Sequence, residues 1–156
     1  MEKFYQRNLH FIRKQHLDKF CVLITKTTPY LTALLYAITL LILFINHSSK
    51  LVITILKPLS SFLIVTIMRK LYNRPRPCVV FNIEPLVDHK TDESFPSRHT
   101  VSAFAIAFAL LNISLPLGII SLIIACLVGL SRIFCGVHFV SDVFCGFLIA
   151  LIIHLI

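Results

Sequence analysis

Residues 29–45 read PYLTALLYAITLLILFI and residues 51–68 read LVITILKPLSSFLIVTIM; the first stretch carries no charged side chain and the second only Lys57. Each is close to the roughly 20 apolar residues with which an α-helix crosses a hydrocarbon core of about 30 Å. The short polar link 46–50 between them has the length of a turn, so the two runs predict an antiparallel pair of membrane helices. Lys57 followed by Pro58 predicts a kink in the second, with the ammonium directed to protein or to an interface rather than to lipid. Further apolar runs cover 101–113, 115–130 after a break at 112–116, and 139–156. The expectation is an all-α integral membrane helical bundle of five transmembrane helices.

Composition agrees with that reading. A chain of 156 residues with 57% hydrophobic and 14% charged residues and a mean hydropathy of +0.87 cannot hide several unbroken apolar runs in a soluble fold. Disorder, collagen-like repeats and small disulfide scaffolds are excluded as well. The five cysteines form no C-x-x-C pair, and Cys126 and Cys145 sit in apolar runs where they read as small hydrophobes. The net charge of +8 does not point to nucleic acid, because the basic residues gather at the amino terminus and around one central loop, with no aromatic-interleaved polar surface. An anionic membrane surface or an anionic substrate fits that distribution.

Residues 1–28 carry Lys3, Arg7, Arg13, Lys14, Lys19 and Lys26 against Glu2 and Asp18, with Phe4, Leu9, Phe11, Ile12, Leu17 and Phe20 between them. This predicts a basic amphipathic helix at the membrane interface, the sixth helix of the fold; the apolar stretch 20–24 is too short for a secretory signal. The expected organisation is a leader over 1–28 and a membrane-embedded domain over 29–156. Within it, 69–98 forms the one long polar loop, rich in proline and holding short helical pieces.

After His99 the formally charged residues are Arg132 and Asp142, both at ends of apolar runs and close to His138. Ionisable groups at membrane depth are costly and mark function. His138 and Asp142 are four apart, which on a helix puts them on one face, where a carboxylate fixes the imidazole tautomer and raises the basicity of its other nitrogen. The pair is a nucleophile with its orienter, or a metal ligand with its supporting carboxylate. His47, His89 and His154 offer no ligand-like spacing with His138, which disfavours the metal. Arg69, Lys70, Arg74, Arg76 and Arg132 suggest instead a phosphate cage, since guanidinium forks match phosphate oxygens; attraction to anionic headgroups is the alternative. Ser97 is placed to cap the helix that follows, whose first N–H groups make an anion site, with His99 in the first turn as a candidate proton donor.

These stretches together resemble the type 2 phosphatidic acid phosphatase superfamily of membrane lipid phosphatases, whose pattern is K-x6-R-P, then P-S-G-H, then S-R-x5-H-x3-D. The third block is complete in Ser131, Arg132, His138 and Asp142. The second reads Pro96, Ser97, Arg98, His99, with arginine in place of glycine; the first reads Arg69 with Arg76 and Pro77, with arginine in place of lysine. The resemblance implies that His138 attacks phosphorus to form a phosphohistidine with Asp142 on its other nitrogen. It implies that His99 protonates the leaving oxygen, and that Arg69, Arg76, Arg132, Ser97 and the N–H of Arg98 hold the non-bridging oxygens. No metal or other cofactor is implied, and the partners are a lipid phosphate and membrane lipids, with no nucleic acid. Phosphatidic acid, phosphatidylglycerol phosphate and undecaprenyl pyrophosphate all suit, the last somewhat better. A bacterial cell membrane with an extracytoplasmic site is the implied setting. The count of Lys and Arg on the side of the leader would argue for the cytoplasm. A lipid phosphotransferase and a non-catalytic lipid-binding member are the alternative functions.

Overall fold

The computed structural model describes residues 1–88 and 90–156, so His89 lies outside the described residues. The elements are α1 (Glu2–Lys14), α2 (Asp18–Ile45), α3 (Lys50–Tyr72), the single turn α4 (Pro77–Val80), α5 (Arg98–Leu111), α6 (Leu115–Phe134) and α7 (Val140–Leu155). Three spans, starting at Asp18, Lys50 and Leu115, are long and apolar enough to cross a membrane. At 1.5 Å per residue, α5 with 14 residues and α7 with 16 are shorter than the hydrocarbon core. The all-α membrane bundle expected from the sequence is the fold observed.

The central helix is α5, which packs against α2, α3, α6 and α7. Its Ala103, Ala105, Ala107 and Ala109 are all buried, and small residues of this kind let helix backbones approach closely where lipid gives no hydrophobic drive to associate. On α7, Gly146 does the same: a Cβ there would lie 3.2 Å from the Ser97 carbonyl oxygen and 3.3 Å from Thr100 Cβ.

α2 begins at Asp18 rather than at Pro29, so residues 18–28 belong to the first long apolar helix and not to the leader. Helices run through both Pro29 and Pro58. A proline has no N–H, which leaves the carbonyl four residues earlier without its helical donor. In each case another helix supplies one. Arg132 Nη2 donates to the Thr25 carbonyl at 3.1 Å, and the Tyr36 hydroxyl donates to the Thr54 carbonyl at 3.0 Å. Lys57 points into protein, its Nζ donating to the His154 carbonyl at 2.6 Å near the end of α7.

The chain alternates between two faces. At one, α1 packs on the loops: Arg13 pairs with Glu84 at 3.1 Å, Asn8 donates to the Phe134 carbonyl at 3.3 Å, and the buried Tyr5 hydroxyl donates to the His138 carbonyl at 3.1 Å. Burial pushes the Tyr5 phenol up to about 12, keeping it a donor across the ordinary pH range. At the other face, Lys50 Nζ meets the Asn112 carbonyl at 3.0 Å. The leader and the segments carrying His138, Ser97 and Arg76 therefore share one face.

Tyr36→Phe is expected to lower stability in detergent by about 1–3 kcal/mol, because the Thr54 carbonyl loses its replacement donor inside an apolar bundle. The loss should shrink in a Pro58→Ala background, where the helix again supplies an N–H; additive effects in the thermal unfolding of the double variant would refute the pairing.

Candidate active site

Local geometry at Arg74 and Arg76 follows from the proline pairs Arg74-Pro75 and Arg76-Pro77. A proline drives the residue before it into extended backbone, and Arg76 has φ −82° and ψ 160°. Residues two apart on extended chain face the same way. Arg74 and Arg76 accordingly reach adjacent members of one site: Arg74 Nη1 donates to Asp142 Oδ1 at 3.0 Å, and Arg76 Nη1 lies 3.2 Å from His138 Nε2. Arg76 Nη1 also donates to the Val137 carbonyl at 2.9 Å.

His138 sits in a turn between α6 and α7. Gly136, at φ +75°, adopts the left-handed backbone that lets the chain reverse there, and the Val137 and His138 N–H groups fold back on the Arg132 carbonyl at 3.2 and 3.3 Å. His138 and Asp142 do meet, but not on a shared helix face. His138 precedes α7, whose cap residue is Phe139, and Asp142 in the first turn reaches back over the helix start. Its Oδ2 accepts the Phe139 N–H at 2.9 Å, faces His138 Nδ1 at 3.4 Å, and accepts the Ser94 hydroxyl in a short bond.

The hydrogen-bond roles assign the tautomer. A guanidinium can only donate, so Nε2 of His138 is the acceptor and the proton sits on Nδ1, toward Asp142. Burial drives the His138 imidazole down to about 4, against the upward pull of Asp142. The ring is thus neutral at physiological pH with its Nε2 lone pair directed at Arg76. Arg76 is buried, and its Nε has no acceptor among the described residues.

Of the other expected residues, Ser97 and Arg69 lie beside this pair, whereas His99 and Arg132 line a cavity whose wall includes neither His138 nor Asp142. Ser97 precedes α5 as expected, yet its hydroxyl does not cap the helix; it accepts from Thr100 Oγ1 at 2.9 Å instead, while the Ser97 N–H donates to the Asp142 carbonyl at 3.0 Å. Arg69 Nη1 donates to the Pro96 carbonyl at 3.0 Å, fixing it beside Ser97, with Glu93 at 3.7 Å. His99 and Arg132 line a cavity of about 780 Å³ between α2 and the 85–88 loop. His99 also lines a second cavity of about 350 Å³ between α2, α3 and α5. Arg98 departs from the cluster: its side chain is exposed and its guanidinium lies 5.8 Å from the Phe62 ring centroid. Among the described residues no group of three His, Cys, Asp or Glu could hold a metal ion.

Ser94 and Tyr5 are neighbours of the site that sequence reasoning missed, and Arg74 was read only as one of a basic cluster. No motif spacing marks Ser94 or Tyr5; the Arg-Pro-Arg-Pro repeat was the available signal for Arg74.

The sequence model of the PAP2 superfamily matches residues 29–156. Undecaprenyl-diphosphatase BcrC of Bacillus subtilis (strain 168) is 40% identical over 82 residues, 53% of this chain and 42% of that protein. The bacitracin transport permease protein BcrC of Bacillus licheniformis is 30% identical over 74% of this chain and 60% of its own length. The chain thus spans roughly half the length of these relatives. Among solved structures, LpxE of Aquifex aeolicus superposes with a TM-score of 0.78 at 30% identity, covering 98% of this chain and 91% of that one. A transmembrane PAP2 type phosphatidylglycerolphosphate phosphatase from Bacillus subtilis gives 0.78 at 28% identity, covering 99% and 80%. With the family model matched over most of its length and the three signature blocks converging on one buried pair, this chain belongs to the PAP2 superfamily.

Proposed function

We propose that this membrane protein is a lipid phosphate phosphatase that cleaves a phosphomonoester or pyrophosphate through a phosphohistidine on His138, with the catalytic domain over residues 29–156. The observation that carries the reading is Arg76. It is a buried cation whose Nε has no acceptor among the described residues and whose Nη1 covers the nucleophilic nitrogen. A phosphate group supplies the missing acceptor oxygens, and as Arg76 turns to them His138 Nε2 is uncovered next to phosphorus. The N–P bond forms as the P–O bond to the leaving group breaks. His99 gives its proton to the leaving oxygen, then takes one from the water that cleaves the N–P bond and releases inorganic phosphate. Asp142 holds the Nδ1 proton and stabilises the ring as charge develops. Arg69, Arg76, Arg132, Ser97 and the N–H of Arg98 bind the non-bridging oxygens, supplying the positive charge that magnesium provides in nucleotide enzymes.

The substrate is a lipid. The smaller cavity below His99 is lined mainly by apolar side chains of three helices, Phe62, Ala103 and Ile106 among them, and suits a hydrocarbon chain beside a phosphate held at the helix starts. Undecaprenyl pyrophosphate is the first choice, supported by the 40% identity to a protein named for that reaction; relatives named phosphatidylglycerophosphatase B and lipid A 1-phosphatase mark the other lipid phosphates to test. The site faces the extracytoplasmic side, the orientation implied by the family. Arg69, Arg76 and Arg132 are buried and serve the site, so they carry little weight in the positive-inside count.

Detergent-solubilised protein is expected to release inorganic phosphate from undecaprenyl pyrophosphate in the presence of EDTA, with phosphatidic acid and phosphatidylglycerol phosphate in parallel. His138→Ala should reduce release by about three orders of magnitude or more; equal release by this variant would reject His138 as nucleophile. Free phosphate rather than a new phospholipid identifies hydrolysis over transfer. The pH profile of kcat/KM should be bell-shaped. Protonation of His138 removes the nucleophile on the acid side, near pH 4 in the free enzyme, and deprotonation of His99 removes the acid on the basic side. A flat profile would contradict these roles. An amino-terminal tag, sharing the site's face, should be cleaved by protease added outside intact spheroplasts; protection until lysis would place the site in the cytoplasm.

A further inference from the structure

The family pattern accounts for Arg76 but not for Arg74, two residues before it. Asp142 is wholly buried, and an ionised carboxylate in such a place needs both a countercharge and a full set of donors. His138 offers no charge at neutral pH and only one long N–H contact, its Nδ1 standing at 3.4 Å. Arg74 offers the charge. Its Nη1 reaches Asp142 Oδ1 and the Ser141 hydroxyl, both at 3.0 Å, and its guanidinium lies 4.0 Å from the centroid of the Phe139 ring. The main chain of Arg74 is tied to the same oxygens by a second route: its carbonyl accepts the Ser94 N–H at 2.8 Å, and the Ser94 hydroxyl donates to Asp142 Oδ2. One residue thereby engages Oδ1 directly and places the donor to Oδ2, leaving the face of Oδ2 toward His138 to orient the nucleophile.

Resting on the phosphohistidine reading above, we propose that Arg74 is a positioning residue that keeps Asp142 ionised and aligned on His138, without itself touching the substrate phosphate. Other charged and titratable groups face the pair: Arg69 from α3, Arg76 beside it, Asp92 and Glu93 from the polar loop, and Tyr5 from α1; Arg132 and His99 line the cavity against α2. At Oδ1 itself the ion pair is with Arg74, at 3.0 Å. Removing Arg74 leaves the carboxylate with less compensation, so the pair takes up a proton at higher pH. Protonation of His138 removes the nucleophile, so losing the Arg74 charge moves the acid limb upward.

The test compares Arg74→Gln and Arg74→Lys with wild type in kcat, KM and the pH profile of kcat/KM, using whichever lipid phosphate wild type hydrolyses. The acid limb of Arg74→Gln is expected to move up by about one pH unit or more, with kcat at neutral pH reduced at least about tenfold and KM within about twofold of wild type. Arg74→Lys, which keeps the charge but loses the fork and its stacking on Phe139, should fall between the two and keeps the question answerable if Arg74→Gln does not fold. An acid limb that stays in place in both variants, or a large rise in KM at unchanged kcat, would overturn the proposal, the latter by making Arg74 a phosphate ligand. Wild type that hydrolyses no lipid phosphate would instead reject the function on which the inference rests, so the two failures are distinct.

Discussion

A single buried carboxylate organises this protein. Asp142 is withdrawn entirely from water, and its oxygens gather the Arg74 guanidinium, the Ser94 hydroxyl, the Phe139 N–H and the Nδ1 edge of His138. Its carbonyl holds the N–H of Ser97. The start of α7, the polar loop and the start of α5 are thereby drawn to one point. An unpaired charge there would be prohibitive, so segments far apart in sequence are bound to their places by the need to satisfy it. The orientation of the His138 ring comes from the same bonds.

The second constraint comes from the apolar surroundings, where an unpaired backbone carbonyl finds no water. Hydroxyls face the same constraint, and Thr28, Thr32, Thr39 and Thr54 each satisfy theirs by donating to the carbonyl four residues before. The two prolines create vacancies that side chains of other elements fill. Interhelical register is fixed at these points by hydrogen bonds, whereas elsewhere close contact of alanine and glycine surfaces does the work.

Much of this was legible from the sequence because two strong signals lay in it. Long apolar runs defined the helices, and charges are so rare after His99 that Arg132, His138 and Asp142 stood out. The beginning of α2 was misread since Lys19 and Lys26 resemble an interfacial leader; the helix tolerates them near its end, where lysine can extend toward water. Ser97 was expected to cap by its hydroxyl, but Thr100 takes that oxygen. His138 and Asp142 were expected on one helix face, and instead the carboxylate bends back across a helix start, a geometry that a spacing of four does not distinguish from a helical one. Ser94 and Tyr5 were invisible because their partners lie 48 and 133 residues away, and such pairings are settled by tertiary closure alone.

The bond between Arg132 and the carbonyl that Pro29 leaves without a donor ties α6 to α2 at one point. Thr25 sits at a fixed height along α2, two turns from the helix start at the face that carries the site. A guanidinium tied to that carbonyl is held at a set height along α2, independent of loop position. The proline in α2 thereby fixes where α6 is tied along α2, by a bond that no loop has to supply.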